Sequence, residues 1–216
     1  MKKYNIAFFD LDGTLTDPEV GITTCAQVAL KFFGIEEKRE NLRKFIGPPL
    51  EETFRDTFAL GPEKAKIALE KYRERYSEVG LFENRVYDGI PQMLEKVHNA
   101  GTRIVLATSK PEIYARRILE KYDLMKYFDE PVGSELDGRR TDKGELIREG
   151  LRRLDMTGEN CVMVGDRKFD ILGGKAAGIH TIGVRYGFAD NAGKELETAG
   201  ADEIADTVAQ LTSLLV

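Results

Sequence analysis

The sequence predicts an α/β fold built on a parallel sheet, and two observations carry that prediction. Short apolar runs, which are typical of buried strands, alternate with longer segments whose apolar residues have helical spacing. The segment between residues 18 and 83 breaks this alternation, because it has helical spacing but no strand-like run. The simplest organisation is a parallel-sheet core, residues 1–15 and 84–216, that carries an α-helical insertion, residues 16–83.

Four apolar runs are the candidate strands of the core. They are Ile6 to Phe9, Ile104 to Ala107, Cys161 to Val164 and Ile179 to Val184. Two segments have the apolar stripe of an amphipathic helix: Pro91 to Val97 precedes the second strand, and Lys143 to Leu154 precedes the third. The tail from Asp206 to Val216 predicts a last amphipathic helix.

Three helices are expected in the insertion. Ile22 to Phe33 has helical spacing and is followed by Gly34, a typical stop signal. A turn at Gly47-Pro48-Pro49 precedes the second helix, Leu50 to Leu60. Gly61-Pro62 opens the third helix, which runs to about Tyr76, since proline is favoured in the first turn of a helix.

Composition narrows the class of protein. The chain has 216 residues, of which 42% are hydrophobic and 32% charged, as in ordinary globular proteins. Its net charge of -5 argues against a general nucleic-acid or anionic-membrane surface but leaves a small phosphorylated substrate open. No apolar stretch reaches the roughly 18 residues that span a bilayer, and no signal-peptide pattern opens the chain. We therefore expect a cytoplasmic protein without a nucleic-acid or membrane partner, and a monomer by default.

The cysteines and histidines give no motif. Cys25 and Cys161 have no regular spacing, so we interpret both as small buried residues and expect neither a disulfide nor a metal site there. His98 and His180 are solitary, and we interpret them as structural residues.

Polar residues follow three of the predicted strands. Asp10 and Asp12 end the first, Thr108 and Ser109 follow the second where we expect a helix to begin, and Asp166 follows the third. Ligands of open parallel sheets bind at the carboxyl ends of the strands, so these groups should converge. Three carboxylates make an all-oxygen set suited to Mg²⁺, and hydroxyls at a helix start suit an anion.

These motifs, in this order, resemble those of haloacid dehalogenase superfamily phosphohydrolases. D-L-D-G-T-L-T at residues 10–16 resembles the first motif, the Thr108 region the second, Lys143 the third and G-D-R-K-F-D at residues 165–170 the fourth. The resemblance implies a Rossmann-like core, and the helical insertion falls where this family carries its cap domain. The turn at Gly47 and the late Tyr186-Gly187-Phe188 look most like the phosphoglycolate phosphatase-like and 5′-nucleotidase-like branch.

The resemblance implies a role for each motif residue. Asp10 should be the nucleophile that forms an aspartyl-phosphate, and Asp12 the general acid and base. Thr108, Ser109 and Lys143 should bind the phosphoryl group.

The implied metal site is a single Mg²⁺. Asp10, Asp12 and Asp166 are its expected ligands, with Asp12 contributing its main-chain carbonyl. Asp170 should be either a further metal ligand or the residue that orients Lys143. Lys110 is a candidate for substrate contact.

Arg43 and Gly47 are the candidates for substrate contact in the insertion, although a surface role is equally compatible with each. The expected activity is Mg²⁺-dependent hydrolysis of a small phosphorylated metabolite, of phosphoglycolate phosphatase or 5′-nucleotidase type. A β-phosphoglucomutase-like phosphosugar mutase remains open as an alternative. A receiver-like domain that only accepts phosphate on Asp10 is a third hypothesis, against which the insertion and Asp12 both argue.

Overall fold

The computed structural model describes residues 2–190 and 193–216, and the chain divides into two compact units. The core unit holds the described residues up to Asp17 together with those of Val86–Val216, and the inserted unit is Pro18–Arg85. The sequence-based division into residues 1–15 with 84–216 and residues 16–83, and the role of the insertion as a cap, stay predictions.

A parallel sheet forms the centre of the core unit. In the described residues it has six strands in the order β5-β4-β1-β6-β7-β8, and every neighbouring pair is parallel. The strands are β1 (Ile6–Phe9), β4 (Arg103–Pro111), β5 (Glu130–Ser134), β6 (Cys161–Gly165), β7 (His180–Val184) and β8 (Glu203–Ala205). A second sheet pairs β2 (Thr16–Asp17) with β3 (Arg85–Val86). The predicted parallel α/β fold is thereby confirmed.

Helices occupy both units. The inserted unit contains α1 (Glu19–Lys31), α2 (Leu50–Phe58) and α3 (Pro62–Tyr76), with short 3-10 helices at Arg39–Phe45 and Gly80–Phe82. The core unit contains α4 (Ile90–Asn99), α5 (Glu112–Lys121), α6 (Lys143–Leu154), α7 (Lys168–Ala176), α8 (Lys194–Thr198) and α9 (Val208–Leu215), with a 3-10 helix at Met125–Tyr127. None of the helices in the described part of the chain is long and apolar enough to cross a membrane.

The strands at the two edges of the sheet were not predicted. β5 has the sequence Glu-Pro-Val-Gly-Ser, which contains no apolar run, and its proline is tolerated because an edge strand need not donate every ladder hydrogen bond. β8 has only three residues, too few for alternation to be visible. Both edges depend on pairing with a neighbour more than on their own residue types.

The end of β4 also differs from expectation. The strand continues to Pro111, and α5 begins at Glu112, so a helix start at Thr108 and Ser109 was wrong. Pairing with β5 continues past Thr108, and the residue before a proline is sterically biased to extended backbone.

α6 packs closely on the sheet, and its first residue, Lys143, reaches Asp10 at the carboxyl end of β1. All four residues of β1 are fully buried, as expected for a strand covered on both faces. Complete burial of a side chain as large as Ile or Phe stabilises the folded state by roughly 1.5–3 kcal/mol. Gly150 of α6 lies directly over Phe8, because a Cβ at this glycine would be 2.7 Å from the phenyl ring. The absence of a side chain there lets the helix approach the sheet closely.

Buried small side chains form the interface between the helices of the inserted unit. α1 packs against α3, and Ala26 of α1 and Ala68 of α3 are both fully buried. Cys25 is buried in this interface, and Cys161 is buried in β6, as expected from the sequence. Within the inserted unit Arg75 makes a two-pronged ion pair with Glu83, with distances of 2.7 and 2.8 Å.

Candidate active site

Asp10 and Asp12 lie at the carboxyl end of β1, but their side chains have different partners. The main-chain N–H of Asp10 still bonds to the Val164 carbonyl at 3.0 Å, which continues the pairing with β6. Gly13 then turns the chain with a φ of 85°. The Asp12 carboxylate pairs with the Lys110 ammonium, with an Nζ–Oδ2 distance of 2.6 Å. The Asp12 side chain therefore contacts a lysine of β4, whereas that of Asp10 contacts Lys143 of α6.

Three buried carboxylates cluster at this edge of the sheet. Asp10, Asp166 and Asp170 each offer an oxygen, and these atoms lie within 4.8 Å of one another. Asp170 thus belongs to the carboxylate group, and it also contacts Lys143. The side chain of Asp12 lies outside this group, and its contribution to a metal through the main-chain carbonyl stays a prediction.

Asp166 is held by groups from two distant parts of the chain. The Phe188 N–H donates to its Oδ2 at 2.7 Å, and the Thr14 hydroxyl donates to its Oδ1 at 3.4 Å. Gly13 and Gly187 approach so closely that a Cβ on either would lie within 2.6 Å of an Asp166 atom. Only glycine fits at these two positions without displacing the carboxylate.

The buried carboxylates carry more negative charge than their surroundings offset. Burial, and then the charges of Asp170 and Asp10, raise the pKa of Asp166 well above its ordinary value. Burial is also the main reason that the pKa of Asp170 rises to about 6, although Lys143 opposes the shift. An additional cation would relieve this repulsion. Carboxylate oxygens without sulfur or imidazole donors suit Mg²⁺ better than a softer metal.

Lys143 supplies a positive charge inside the cluster. It is the first residue of α6, whose start is capped by the Asp142 carboxylate accepting from the Glu145 N–H at 2.9 Å. The Lys143 ammonium reaches Asp10 at 2.8 Å, Asp170 at 2.7 Å and the Ala107 carbonyl at 3.0 Å. Two carboxylates and one main-chain carbonyl therefore surround the ammonium group.

The charge of Lys143 persists in spite of its burial. Burial by itself lowers the pKa of Lys143, but the charges of Asp10 and Asp170 raise it, and the net shift is upward. The side chain therefore stays an ammonium at neutral pH, where it can stabilise negative charge that develops on a bound group.

The polar residues at the end of β4 make hydrogen bonds or ion pairs within the core unit. Thr108 is 2% exposed, and its hydroxyl accepts from the Lys110 N–H at 3.3 Å, which leaves the hydroxyl proton for another acceptor. The Ser109 hydroxyl instead donates to the Thr141 carbonyl at 2.8 Å. Lys110, predicted as a substrate contact, has its ammonium on Asp12.

Arg43 and Gly47 are the two residues of the inserted unit that were predicted to contact substrate. Arg43 pairs with Glu19 at an Nε–Oε1 distance of 2.9 Å and is largely exposed. Gly47 has a φ of 104° in the turn that precedes α2. Substrate contact by either residue stays a prediction.

Asp12 has the properties of a group that exchanges a proton. Burial is the largest cause that raises its pKa, the charge of Asp10 adds to it, Lys110 and Lys143 oppose it, and the net shift is upward. One oxygen pairs with Lys110, whereas Oδ1 is buried and has no hydrogen-bond partner among the described residues. That oxygen can carry a proton without breaking an existing bond.

The supporting contacts of residues around the site were not predicted from the sequence. The Arg167 N–H donates to Asp170 Oδ2 at 3.0 Å, and the Arg167 guanidinium pairs with Glu195 at 2.7 Å. The Tyr186 hydroxyl donates to the Thr14 carbonyl at 3.0 Å, which ties the segment after β7 to the turn after β1. The glycine at position 187 was the available signal, since glycines often mark close approach of the backbone.

The chain is similar to a known hydrolase family and to proteins with different enzyme names. The family described as "Haloacid dehalogenase-like hydrolase" matches residues 7–184. A protein named 5′-nucleotidase from Pseudomonas aeruginosa is 46% identical over 86% of this chain and 85% of its own length. A phosphoglycolate phosphatase from Vibrio cholerae is 26% identical over 100% of this chain and 99% of its own.

Two further similar proteins have other names. Tyrosine-protein kinase PtkA from Mycobacterium tuberculosis is 40% identical over 85% of this chain and 62% of its own length. The crystal structure of a predicted phosphatase from Clostridium acetobutylicum has a TM-score of 0.92 and 40% identity, and the match covers 98% of this chain and 97% of that one.

Proposed function

The chain belongs to the haloacid dehalogenase-like hydrolase family, and we propose that it is a phosphatase that hydrolyses small phosphomonoesters with Mg²⁺ and an aspartyl-phosphate on Asp10. The observation that carries the proposal is the position of Asp10. Its carboxylate contacts the Lys143 ammonium at 2.8 Å and shares the oxygen cluster with Asp166 and Asp170. A nucleophilic carboxylate beside cations that offset phosphoryl charge is what phosphoryl transfer requires.

The reaction divides between the two acids at the end of β1. An Asp10 oxygen attacks phosphorus while the bond from phosphorus to the ester oxygen breaks, and the leaving alkoxide takes the proton of Asp12. Asp12, now ionised, accepts a proton from a water molecule as the water oxygen bonds to phosphorus and the bond from phosphorus to the Asp10 oxygen breaks. Inorganic phosphate leaves, and both carboxyl groups return to their first state.

Lys143 and Thr108 bind the transferring group in this scheme. The ammonium offsets charge on the phosphoryl oxygens, and the Thr108 hydroxyl proton donates to one of them. Asp10, Asp166 and Asp170 would hold Mg²⁺, which supplies further neutralisation of phosphoryl charge. We also propose that the inserted helical unit is the cap domain of this family, with Arg43 and Gly47 as candidates for substrate selection.

The substrate class is tested by a phosphate-release screen. We expect turnover with p-nitrophenyl phosphate and Mg²⁺, and a preference among nucleoside 5′-monophosphates, phosphoglycolate and sugar phosphates. The relatives named 5′-nucleotidase and phosphoglycolate phosphatase motivate the first two classes. Isomerised sugar phosphate without free phosphate would identify a mutase instead. Labelling of protein tyrosine from ATP, with no monoester hydrolysed, would contradict the proposal.

Metal binding should depend on pH in a defined direction. Folding raises the pKa of Asp170 from 3.8 to about 6. Between those values the metal-free folded protein binds more protons than the unfolded chain, so the free energy of unfolding falls as pH rises through this window. Mg²⁺ needs ionised ligands, so it should raise Tm more at about pH 7.5 than at about pH 5.

Differential scanning fluorimetry with and without MgCl₂ measures this effect. A saturating cation at a hundredfold excess over Kd stabilises by about 2.7 kcal/mol. The Asp166→Asn variant should lose most of the Mg²⁺-dependent increase in Tm. The control variant Asp137→Asn, which changes an exposed loop residue, should keep this increase. An equal Mg²⁺ response of the two variants would place the metal elsewhere.

A further inference from the structure

Two serine hydroxyls link the ends of β5 and β4 to the segment that leads into α6. Ser134, buried at the end of β5, donates its hydroxyl to the main-chain carbonyl of Ser109 at 2.8 Å. Ser109 in β4 donates its own hydroxyl to the Thr141 carbonyl at 2.8 Å. The register between β4 and β5 shifts after Thr108, so these side-chain bonds lie where regular pairing is interrupted.

The second of these bonds anchors the start of α6. Residues 135–142 form a connection without helix or strand, and Thr141 lies two residues before Lys143. Between them stands Asp142, the residue whose side chain caps the helix. The Ser109 hydroxyl therefore attaches the backbone immediately before the helix to the end of β4.

Lys143 has little freedom to adapt if this backbone moves. Its ammonium lies within 3.0 Å of three oxygens, those of Asp10, Asp170 and the Ala107 carbonyl. On the α7 side, a Cβ at Gly173 would lie 2.3 Å from the Lys143 Cβ, so the α7 backbone presses against the lysine stem. The connection anchored by Ser109 is the other support. A shift of about 1 Å in a catalytic group can cost about a hundredfold in rate.

We propose that Ser109 is a positioning residue whose hydroxyl acts on the reaction through Thr141 and Lys143. Its side chain serves the site by placing the lysine, instead of binding the phosphoryl group as the sequence suggested. Ser134 supports it by holding the Ser109 carbonyl. The inference rests on the proposed phosphatase function of the site.

Kinetics with p-nitrophenyl phosphate and Mg²⁺ provide the first test. Ser109→Ala should lower kcat about tenfold and leave KM within about twofold, because Lys143 stabilises charge that develops in the transition state. Ser109→Thr keeps a hydroxyl and should return kcat to within about threefold of wild type, and Ser134→Ala should give a smaller loss than Ser109→Ala in the same direction.

Thr102→Val is the matched control. Thr102 donates its hydroxyl to the Tyr4 carbonyl at 2.9 Å, immediately before the other end of β4. Its variant removes the same kind of bond and should lower Tm without changing kcat. The proposal is overturned if Ser109→Ala keeps wild-type kcat, if Thr102→Val lowers kcat equally, or if Ser109→Ala raises KM alone, which would mean direct substrate binding.

A second measurement does not require turnover. In protein labelled with ¹⁵N-lysine, the buried Lys143 ammonium should give a slowly exchanging NMR signal, assigned by its loss in Lys143→Arg. Ser109→Ala should shift it or speed its exchange, whereas Thr102→Val should not. If wild type releases no phosphate, the proposed function fails, and this signal still tests the positioning. An unchanged signal in Ser109→Ala contradicts the positioning even in an active phosphatase.

Discussion

Asp10→Asn should abolish phosphate release while leaving the protein folded. An amide oxygen can still accept from the Leu11 N–H, which bonds to the Asp10 carboxylate at 2.7 Å, so local structure is retained. The amide is a poor nucleophile, and loss of a nucleophile in a hydrolase with a covalent intermediate costs on the order of 10⁶-fold in kcat. Phosphate release from p-nitrophenyl phosphate with Mg²⁺ measures the loss.

Covalent labelling separates the enzyme from a mere phosphoacceptor. Wild type should turn over and incorporate label from acetyl phosphate, whereas Asp10→Asn should do neither. Asp155→Asn is the control, because this exposed residue ends α6 in left-handed backbone with a φ of 52°, a conformation that asparagine also adopts. Labelling of Asp10 without turnover would support the receiver-like hypothesis. Wild-type turnover in Asp10→Asn would exclude Asp10 as the nucleophile.

Lys143→Met should reduce both activity and stability. The variant leaves Asp10 and Asp170 facing each other without the ammonium that contacts both. Removing one partner of a buried ion pair lowers the free energy of unfolding by about 3–5 kcal/mol. Loss of a donor to developing charge costs about a hundredfold to a thousandfold in kcat. Urea denaturation and steady-state kinetics measure the two effects.

A double variant distinguishes the structural effect from the catalytic one. Lys143→Met with Asp170→Asn removes one charge of each sign, so stability should recover in part while activity stays low. Lys126→Met is the control, because Lys126 pairs with Asp123 on the surface, and such exposed pairs contribute about 0–1 kcal/mol. Wild-type kcat in Lys143→Met would remove the lysine from the proposed mechanism. Failure of the double variant to regain stability would mean that the lysine stem, more than its charge, supports the fold.

Much of the candidate site could be predicted from the sequence, because its residues interrupt strong local patterns. Asp10 and Asp12 follow a fully apolar strand, and Asp166 follows another, so each stands out without knowledge of the fold. Strand direction then predicts their convergence, since parallel strands end at the same edge. Lys143 was predicted only through the order of the four motifs, because a lysine that opens an amphipathic helix has no distinctive local signal.

The sequence by itself determined the parallel α/β class, the helical insertion and the acids at the strand ends, because apolar periodicity and its interruptions are local properties. Only the tertiary structure decided the partners of those acids. It placed Asp170 in the carboxylate cluster, paired Asp12 with Lys110, and directed the Ser109 hydroxyl to Thr141. Asp10 and Asp170 are 160 positions apart in the chain, Asp12 and Lys110 are 98 apart, and Ser109 and Thr141 are 32 apart. Distances of that kind are set by how helices pack on the sheet, which no short stretch of sequence encodes.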